Sequence, residues 1–387
     1  MKILVVITYY RPHTSGLTIY AERLAKAFVK AGHQVTILTS QFDQSTPRDE
    51  MDEGVRIIRV PVLFRVSKGV IMPSFGWVAN RLVLEHDVIQ LHLPQFDAAG
   101  ISLRGRLLKK PTIVTYHCDL KMPPGFLNKA ANLAVHFMNH LTARFTHRIV
   151  TYTKDYAENS PYLQKYIEKL RVIPPPVLLP ETTPEKIKAF KTKTNPKGKS
   201  PVIAMVSRFA TEKGVEVLLD ALPMVLEKFP DTQVQFAGSY EHIIGEEHYF
   251  DKLIPKIREF EESGNWLFLG NLTPTELSAF YPNLDMITMP SLNSTEAFGL
   301  VQIEAMINGV PSIASNLPGV RQPVKMHGMG KIVEIGDPVG LARAIVDIAS
   351  QPDLYQNDPY TIAEKYKPAS IVTYYENLFS EMLEEIQ

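Results

Sequence analysis

The feature that most constrains this chain is a rhythm that runs twice along its 387 residues: short apolar runs alternating with segments of helical spacing. In the first half the runs are Lys2–Thr8, His33–Thr39, Val55–Val60, Val88–Leu93, Thr112–His117 and Arg148–Thr153. Apolar runs without polar alternation predict strands buried on both faces. Leu17–Lys30 places Tyr20, Leu24, Ala27 and Phe28 on one side and ends at Gly32, so it predicts a helix with a glycine C-cap. Leu127–Phe145 predicts an amphipathic helix. Strand, helix, strand in this order predicts parallel pairing with right-handed crossovers.

Pro174-Pro175-Pro176 breaks the series, because proline neither donates to a ladder nor continues a helix. The charged stretch that follows predicts an interdomain region holding one short helix, Pro184–Lys193. The rhythm then resumes with strands at Val202–Ser207, Gln233–Ala237, Trp266–Leu269, Met286–Met289 and Pro311–Ala314. Helices are predicted at Val215–Phe229, Tyr249–Ser263, Pro274–Tyr281, Leu300–Asn308, Pro338–Ser350 and Ile371–Glu385. The expected fold class is α/β, with two Rossmann-like doubly wound domains facing a central cleft. The expected boundaries are 1–176, a linker at 177–200, 201–367, and a C-terminal helix at 368–387 packing back toward the first domain. Ligands of such sheets bind outside the carboxyl ends of the strands, so the loops there carry the search for function.

Four of those loops hold suggestive residues. Ser294-Thr295-Glu296-Ala297-Phe298-Gly299-Leu300 leads from a strand into a helix that contains Glu304. A helix start offers free N–H groups and a partial positive charge to a phosphate, and Gly299 permits close approach. Glu296 and Glu304 lie roughly 12 Å apart along the chain, suited to gripping different parts of one extended ligand rather than sharing a proton. Arg208-Phe209-Ala210-Thr211-Glu212-Lys213-Gly214 supplies a planar fork and a point charge, both usual partners of phosphate oxygens. Gly16 lies in the turn after the first strand. His117 ends a strand beside Cys118 and Asp119, where it could donate a hydrogen bond or relay a proton. Each loop also has an ordinary reading: surface glutamates, solvated cations, a generic turn, a buried histidine.

Charge and composition bear on partners. Residues 1–180 hold 23 Lys and Arg against 13 Asp and Glu, a balance of +10, and the remainder carries −10. A basic first half favours an anionic partner, such as a phosphate-bearing acceptor or an acidic membrane surface. Arg65–Trp77, with Lys68, Ile71, Phe75 and Trp77, and helix Leu127–Arg148 are the candidate membrane-facing surfaces. One cysteine, Cys118, excludes an internal disulfide and fits a reducing cytoplasm; it is taken as packing. No apolar run is long enough to span a bilayer. No Gly-x-Gly-x-x-Gly follows the first strand, Gly198-Lys199-Ser200 lacks the leading glycine of a P-loop, and no Asp-x-Asp or zinc spacing occurs. NAD, P-loop and Asp-x-Asp metal chemistries are therefore disfavoured, and no metal or other cofactor is expected. Nucleic acid is not an expected partner.

Taken together these loops resemble glycosyltransferase family 4, retaining enzymes of the GT-B fold. The Glu-x7-Glu element is similar to Glu296–Glu304, and the Arg-x4-Lys-Gly element to Arg208, Lys213 and Gly214. The glycine-bearing first loop corresponds to Gly16, and the histidine after a mid-domain strand to His117. The resemblance covers nearly the whole chain. It implies an acceptor-binding first domain and a nucleotide-sugar-binding second domain. Arg208 and Lys213 would hold the donor diphosphate in place of a metal, with backbone N–H groups near Phe298, Gly299 and Leu300. Glu304 would hold the ribose, Glu296 the donor sugar, and His117 would contact that sugar near its 6-position. Gly16 would let the first loop reach the diphosphate, and the base would rest near Gly238 and Gly270-Asn271-Leu272. Catalytic roles fall to His117, Arg208, Lys213 and Glu296, with front-face attack on a UDP or GDP sugar by a glycan or lipid-linked acceptor. The chain departs from the pattern where Ser15 precedes Gly16 and where Pro174-Pro175-Pro176-Val177 replaces a turn with Asn and Gly. A sugar-nucleotide epimerase and a non-catalytic nucleotide-sugar binder are the alternatives of another class. The first would need further carboxylates in the cleft; the second would be expected to lose the cationic pair or His117.

Overall fold

The structure is a computed structural model that describes residues 1–66, 69–120, 126–243 and 245–386. The chain forms two compact units, residues 1–177 with 365–387, and residues 178–364.

In the first unit the strands are β1 (Lys2–Val6), β2 (Gln34–Gln41), β3 (Asp49–Asp52), β4 (Val55–Pro61), the hairpin β5 (Phe64–Val66) and β6 (Gly69–Ile71), β7 (Val88–Leu93), β8 (Thr112–Tyr116), β9 (Arg148–Thr151) and β10 (Leu170–Val172). The helices are α1 (Gly16–Lys30), α2 (Phe75–Glu85), α3 (Ala98–Leu107), α4 (Phe126–Phe145) and α5 (Lys154–Asn159). The main sheet runs β10-β9-β8-β7-β1-β2-β4-β3, parallel except for the antiparallel edge strand β3. The chain winds outward from β1 through β2 to β4, then returns to β7 and winds the other way. The sheet therefore switches direction between β1 and β7, and the loops above those two strands diverge there.

The second unit holds α6 (Pro184–Thr194), β11 (Val202–Val206), α7 (Val215–Leu226), β12 (Gln233–Ala237), α8 (Glu247–Glu262), β13 (Trp266–Gly270), α9 (Pro274–Phe280), β14 (Met286–Met289), α10 (Leu300–Met306), β15 (Ser312–Ser315), α11 (Gln322–His327), β16 (Gly330–Val333), α12 (Pro338–Ser350) and most of α13 (Pro359–Tyr366). Its sheet, β13-β12-β11-β14-β15-β16, is wholly parallel and switches between β11 and β14. The segment read as a linker belongs to this unit: Phe190 of α6 packs its ring against Phe280, and Asn283 donates to the Ile187 carbonyl at 3.0 Å.

The last helix, α14 (Pro368–Ile386), completes the first unit. It buries Ile371, Val372, Tyr375, Leu378, Phe379 and Met382, with Tyr375 and Phe379 against Phe28 of α1. Arg148 and Arg171 both reach Glu381, at 3.0 and 2.6 Å.

The apolar periods placed the long elements well and missed α2 and α3. In α3, Gly105 lies where a side chain would meet Thr112 Oγ1 at 2.1 Å, so the helix packs through its backbone and shows no apolar stripe. The Arg65–Trp77 segment needs correction. Met72 and Phe75 are buried, and Phe75 opens α2, so neither can face a membrane; Ile71 and Trp77 are exposed, and Lys68 lies outside the described residues. On α4, Leu133 and Phe137 are exposed while Asn139 and Ala143 are buried. Among the described residues no helix is long and apolar enough to cross a membrane.

The first unit contains several buried histidines, and this sets a pH dependence. Burial pushes His92 down to about 3 and His147 down to about 4, and burial with His92 alongside pushes His117 well below its ordinary value. The folded state thus keeps these rings neutral where the unfolded chain, with histidines near 6.5, takes up protons. Stability is fully present above about pH 6.5 and falls as the pH drops toward 4, by about 1.4 kcal/mol per pH unit for each such ring. Tm measured from pH 7.5 to 4.5 should decline with a slope that shrinks in His147→Gln. An unchanged slope would remove His147 from this account.

Candidate active site

The switch point of the second sheet brings together two loops distant in sequence. One follows β11 and carries Arg208 and Lys213; the other follows β14 and carries Glu296 to Gly299. Lys213 ends a short 3-10 turn, Thr211–Lys213, and its ammonium donates to Glu296 Oε2 at 2.7 Å. Both side chains are mostly covered, at 17% and 21% exposure, so water screens this pair less than a surface one. Arg208, half exposed, pairs with Glu212 one turn further on. The two loops are also tied by backbone, since Leu292 N–H donates to the Glu212 carbonyl at 2.9 Å.

The opening of α10 is shaped by Gly299. It stands at φ +85°, a left-handed conformation that residues with a Cβ rarely adopt. A Cβ there would also lie 2.4 Å from Met289 Sδ and 2.8 Å from Gln302 Nε2. Gln302, fully buried, donates to the carbonyls of Phe298 at 3.0 Å and Val320 at 2.8 Å and accepts from Ser312, pinning the loop from beneath. Phe298 is buried and Leu300 is half-buried in the first helical turn. Glu304 is buried, and Tyr281 Oη donates to its Oε2 at 2.9 Å. Two carboxylates eight residues apart thus have separate anchors, one a lysine and the other a tyrosine.

On the other side of β11 stand the residues read as a base cradle. Gly238 follows β12 at φ +139°, donates to the Gly270 carbonyl at 2.8 Å, and lies so close to β11 that a Cβ would sit 2.0 Å from the Ser207 oxygen. Ser239 donates to Asn271 Oδ1 at 2.9 Å, and Leu272 is half-buried beside it. Arg208, Lys213, Gly238, Leu272, Glu296, Phe298, Gly299, Leu300 and Glu304 all therefore lie at the carboxyl edge of one sheet or on the helix that leads from it.

Gly16 and His117 lie in the first unit. Gly16 opens α1 behind its cap, where Ser15 Oγ accepts from Thr18 N–H, and a Cβ at Gly16 would meet nothing within 4 Å. His117 follows β8. Its Nδ1 is hydrogen-bonded to Tyr152 Oη and its Nε2 lies 2.8 Å from His92 Nδ1. With both ring nitrogens engaged, the imidazole can bond a sugar hydroxyl only by giving up one of these partners. Asp119 anchors the following loop, accepting from Tyr116 and Ser160 at 2.8 and 2.7 Å. Cys118 is half-buried.

Sequence reasoning missed Tyr281, Gln302, His92 and Tyr152. Nothing local marks Tyr281, which meets Glu304 only through the packing of the turn after α9 against α10. Tyr281→Phe leaves a buried carboxylate short of one charge-assisted bond, worth about 1.5–3 kcal/mol. A urea midpoint shifted by that amount, with the fold retained, is the expected outcome; an unshifted midpoint would assign Glu304 another anchor.

Residues 186–364 match the family "Glycosyl transferases group 1", and residues 15–176 match the "Glycosyl transferase 4-like domain". An uncharacterized glycosyltransferase of Methanocaldococcus jannaschii is 25% identical over 95% of this chain and 94% of its own. The alpha-monoglucosyldiacylglycerol synthase of Streptococcus pneumoniae is 24% identical over 94% and 81%. Among solved structures, Anabaena HepE in complex with UDP superposes with a TM-score of 0.75 at 19% identity, over 98% of this chain and 100% of that one. At that identity the likeness shows the fold alone, GT-B. The family matches at both ends of the chain, read with two doubly wound units, show that this protein is a glycosyltransferase of the group 1, family 4 type.

Proposed function

We propose that the protein is a retaining transferase that moves a hexosyl group from a nucleoside-diphosphate sugar to an acceptor hydroxyl without a metal ion. The observation that carries this reading is the convergence of Lys213, Glu296 and the Gly299 helix start at one switch point. Arg208 and Lys213 neutralise the diphosphate as it leaves, and the N–H groups of α10 add a fixed dipole that needs no reorganisation. Glu304, held by Tyr281, binds the ribose; Glu296, held by Lys213, binds the sugar; Gly238 and Leu272 border the base. In the reaction the C1–oxygen bond to the β-phosphate breaks, the acceptor oxygen bonds C1 on the same face, and its proton passes to the leaving phosphate. The UDP bound to HepE supports a nucleotide at this kind of fold, without choosing between UDP and GDP here.

The test is a thermal-shift screen with nucleoside-diphosphate sugars, since a ligand that binds only the folded state raises Tm with its affinity. The hit is then assayed for transfer with excess chelator. Undiminished turnover and an unchanged anomeric configuration in the product are expected. Loss of turnover to the chelator would end the metal-free assignment, and inversion would end the retaining one.

The acceptor is a glycan or a lipid. A lipid acceptor is supported by the synthase from Streptococcus pneumoniae, whose name gives a diacylglycerol product, and by the basic first half with exposed Leu133, Phe137 and Trp77. Peripheral binding at the cytoplasmic face follows from this reading. The expected result is co-sedimentation with anionic but not neutral vesicles, weakened by salt. Equal binding to both vesicle types would argue against it.

A further inference from the structure

The amino edge of the first sheet, opposite the edge that carries His117, gathers more cations than the fold uses. Gly105 has no side chain to hold α3 away from Thr112, the first residue of β8. This close approach sets the next residue, Arg106, beside the start of the sheet. Thr112 is tied in turn to His147, just before β9. His147 N–H donates to the Thr112 carbonyl at 2.9 Å, and Thr112 N–H donates to His147 Nδ1 at 3.1 Å. A backbone N–H is always the donor, so Nδ1 is bare and the neutral ring carries its proton on Nε2. That N–H has no partner among the described residues. Arg148 at the start of β9 and Lys169 directly before β10 complete the group. The charges that act on His147 are Arg106, Lys169 and Arg148, and those that act on Lys169 are Arg106, Arg144 and Arg148.

Part of this charge has a structural task. Lys169 Nζ donates to the carbonyls of Ala143, Arg144 and Thr146 at 2.8, 3.0 and 2.9 Å, which closes the end of α4. Arg148 is paired with Glu381 and Glu385 of α14. Arg106 and Arg144 have no such task. The last turn of α3 is closed by backbone, with Leu108 N–H on the Arg104 carbonyl and Lys110 N–H on that of Gly105. Both arginines are exposed, and among the described residues neither has an acidic partner. Both act on Lys169, so they flank one spot. Like charges held together there repel, and an anion seated among them removes that cost. Guanidinium forks match the oxygens of a phosphate, and a fixed ring N–H adds a further contact.

We propose that this junction of α3, α4 and the starts of β8 and β9 binds a phosphate monoester, with Arg106 and Arg144 as its ion-pair partners and His147 Nε2–H as a positioned donor. The site shares no residue with the donor site and does not rest on the glycosyl-transfer reading. The phosphate belongs to a soluble ester or to a lipid headgroup. Leu103 and Leu107, exposed on the last turns of α3, suit the headgroup.

The experiment uses the full chain and reads His147 itself through its Cε1 proton, assigned by His147→Gln. The ring is titrated from pH 7.5 to 4.5 in glycerol 3-phosphate and in chloride of equal ionic strength. In chloride its pKa stays at about 4. An anion that prefers the charged ring raises that value by linkage, and a rise of about one unit is expected, a preference of about tenfold. The readout is local, so phosphate bound elsewhere does not move it. Arg106→Gln with Arg144→Gln should abolish the rise. Lys30→Gln with Lys154→Gln, which removes equal charge from α1 and α5, should keep it. The lipid arm is co-sedimentation of the same proteins with phosphatidic acid vesicles. A loss of about tenfold in the arginine pair beyond that in the lysine pair assigns the headgroup. A rise in the His147 value without that loss assigns a soluble ester. The proposal is overturned if the rise survives in the arginine pair, or if phosphate leaves His147 unmoved and both pairs lose vesicle binding alike.

Discussion

Lys213→Ala is expected to lower kcat/KM for glycosyl transfer by a factor of about 10²–10³, the usual cost of removing one preorganised charge from a developing anion. The size follows from where Lys213 sits. Its ammonium is mostly covered and lies 2.7 Å from Glu296. Alanine removes the cation and leaves the Glu296 carboxylate unbalanced beside the place proposed for a diphosphate, so two effects act in the same direction. Folding should weaken as well, because a mostly covered pair that loses one partner leaves a partly desolvated carboxylate, so Tm is measured beside turnover to separate the two losses. Glu296→Gln separates the two effects: it leaves Lys213 free of its internal anion. Nucleoside-diphosphate affinity should then hold or tighten while transfer falls. The measurement is steady-state turnover beside nucleotide titration for both variants. Turnover within about threefold of wild type in Lys213→Ala would sink the phosphate role.

The second large effect is expected at Gly238. Alanine there must take φ +139° and place its Cβ 2.0 Å from the Ser207 carbonyl oxygen, a clash of the methyl with fixed backbone that no rotamer relieves. The ends of β11 and β12 must part, at a cost of about 3–5 kcal/mol. Thermal unfolding of Gly238→Ala should show a Tm lowered by several degrees or more, with nucleotide binding lost even where the fold survives. Gly16→Ala is the contrast, since a Cβ at Gly16 meets nothing within 4 Å and its φ is not left-handed. Its Tm should stay near wild type, and any loss of turnover would then report ligand approach to α1. A normal Tm in Gly238→Ala would show that the strand ends are looser than their spacing indicates.

Much of the fold was legible because it depends on local signals. The strand at Lys2–Val6 is a run of β-favouring apolar residues, and α1 shows its buried face, Tyr20, Leu24, Ala27 and Phe28, at helical spacing. Elements without such a stripe escaped: α3, packed through Gly105, and the edge strand β16, whose Gly330 and Lys331 look like a loop. The linker reading failed for a related reason. Pro184–Thr194 is rich in Lys and Thr and shows no continuous apolar face, and it joins the second unit through Phe190 and the Ile187 carbonyl among other contacts. In the site, the loops were found by their position at carboxyl strand ends, but their internal partners were not.

The amino-acid sequence by itself determined that there are two wound sheets, where the apolar strands that carry the site end, and which polar residues those ends carry. Apolar period, capping and glycine placement act over a few residues, so they can be read in order. Tertiary structure alone decided the pairings. Lys213 meets Glu296 across 83 residues because β11 and β14 are neighbours. Tyr281 finds Glu304, and His117 is enclosed between Tyr152 and His92. Strand order sets these meetings, and strand order results from burying both faces of a whole sheet at once, which no local pattern specifies.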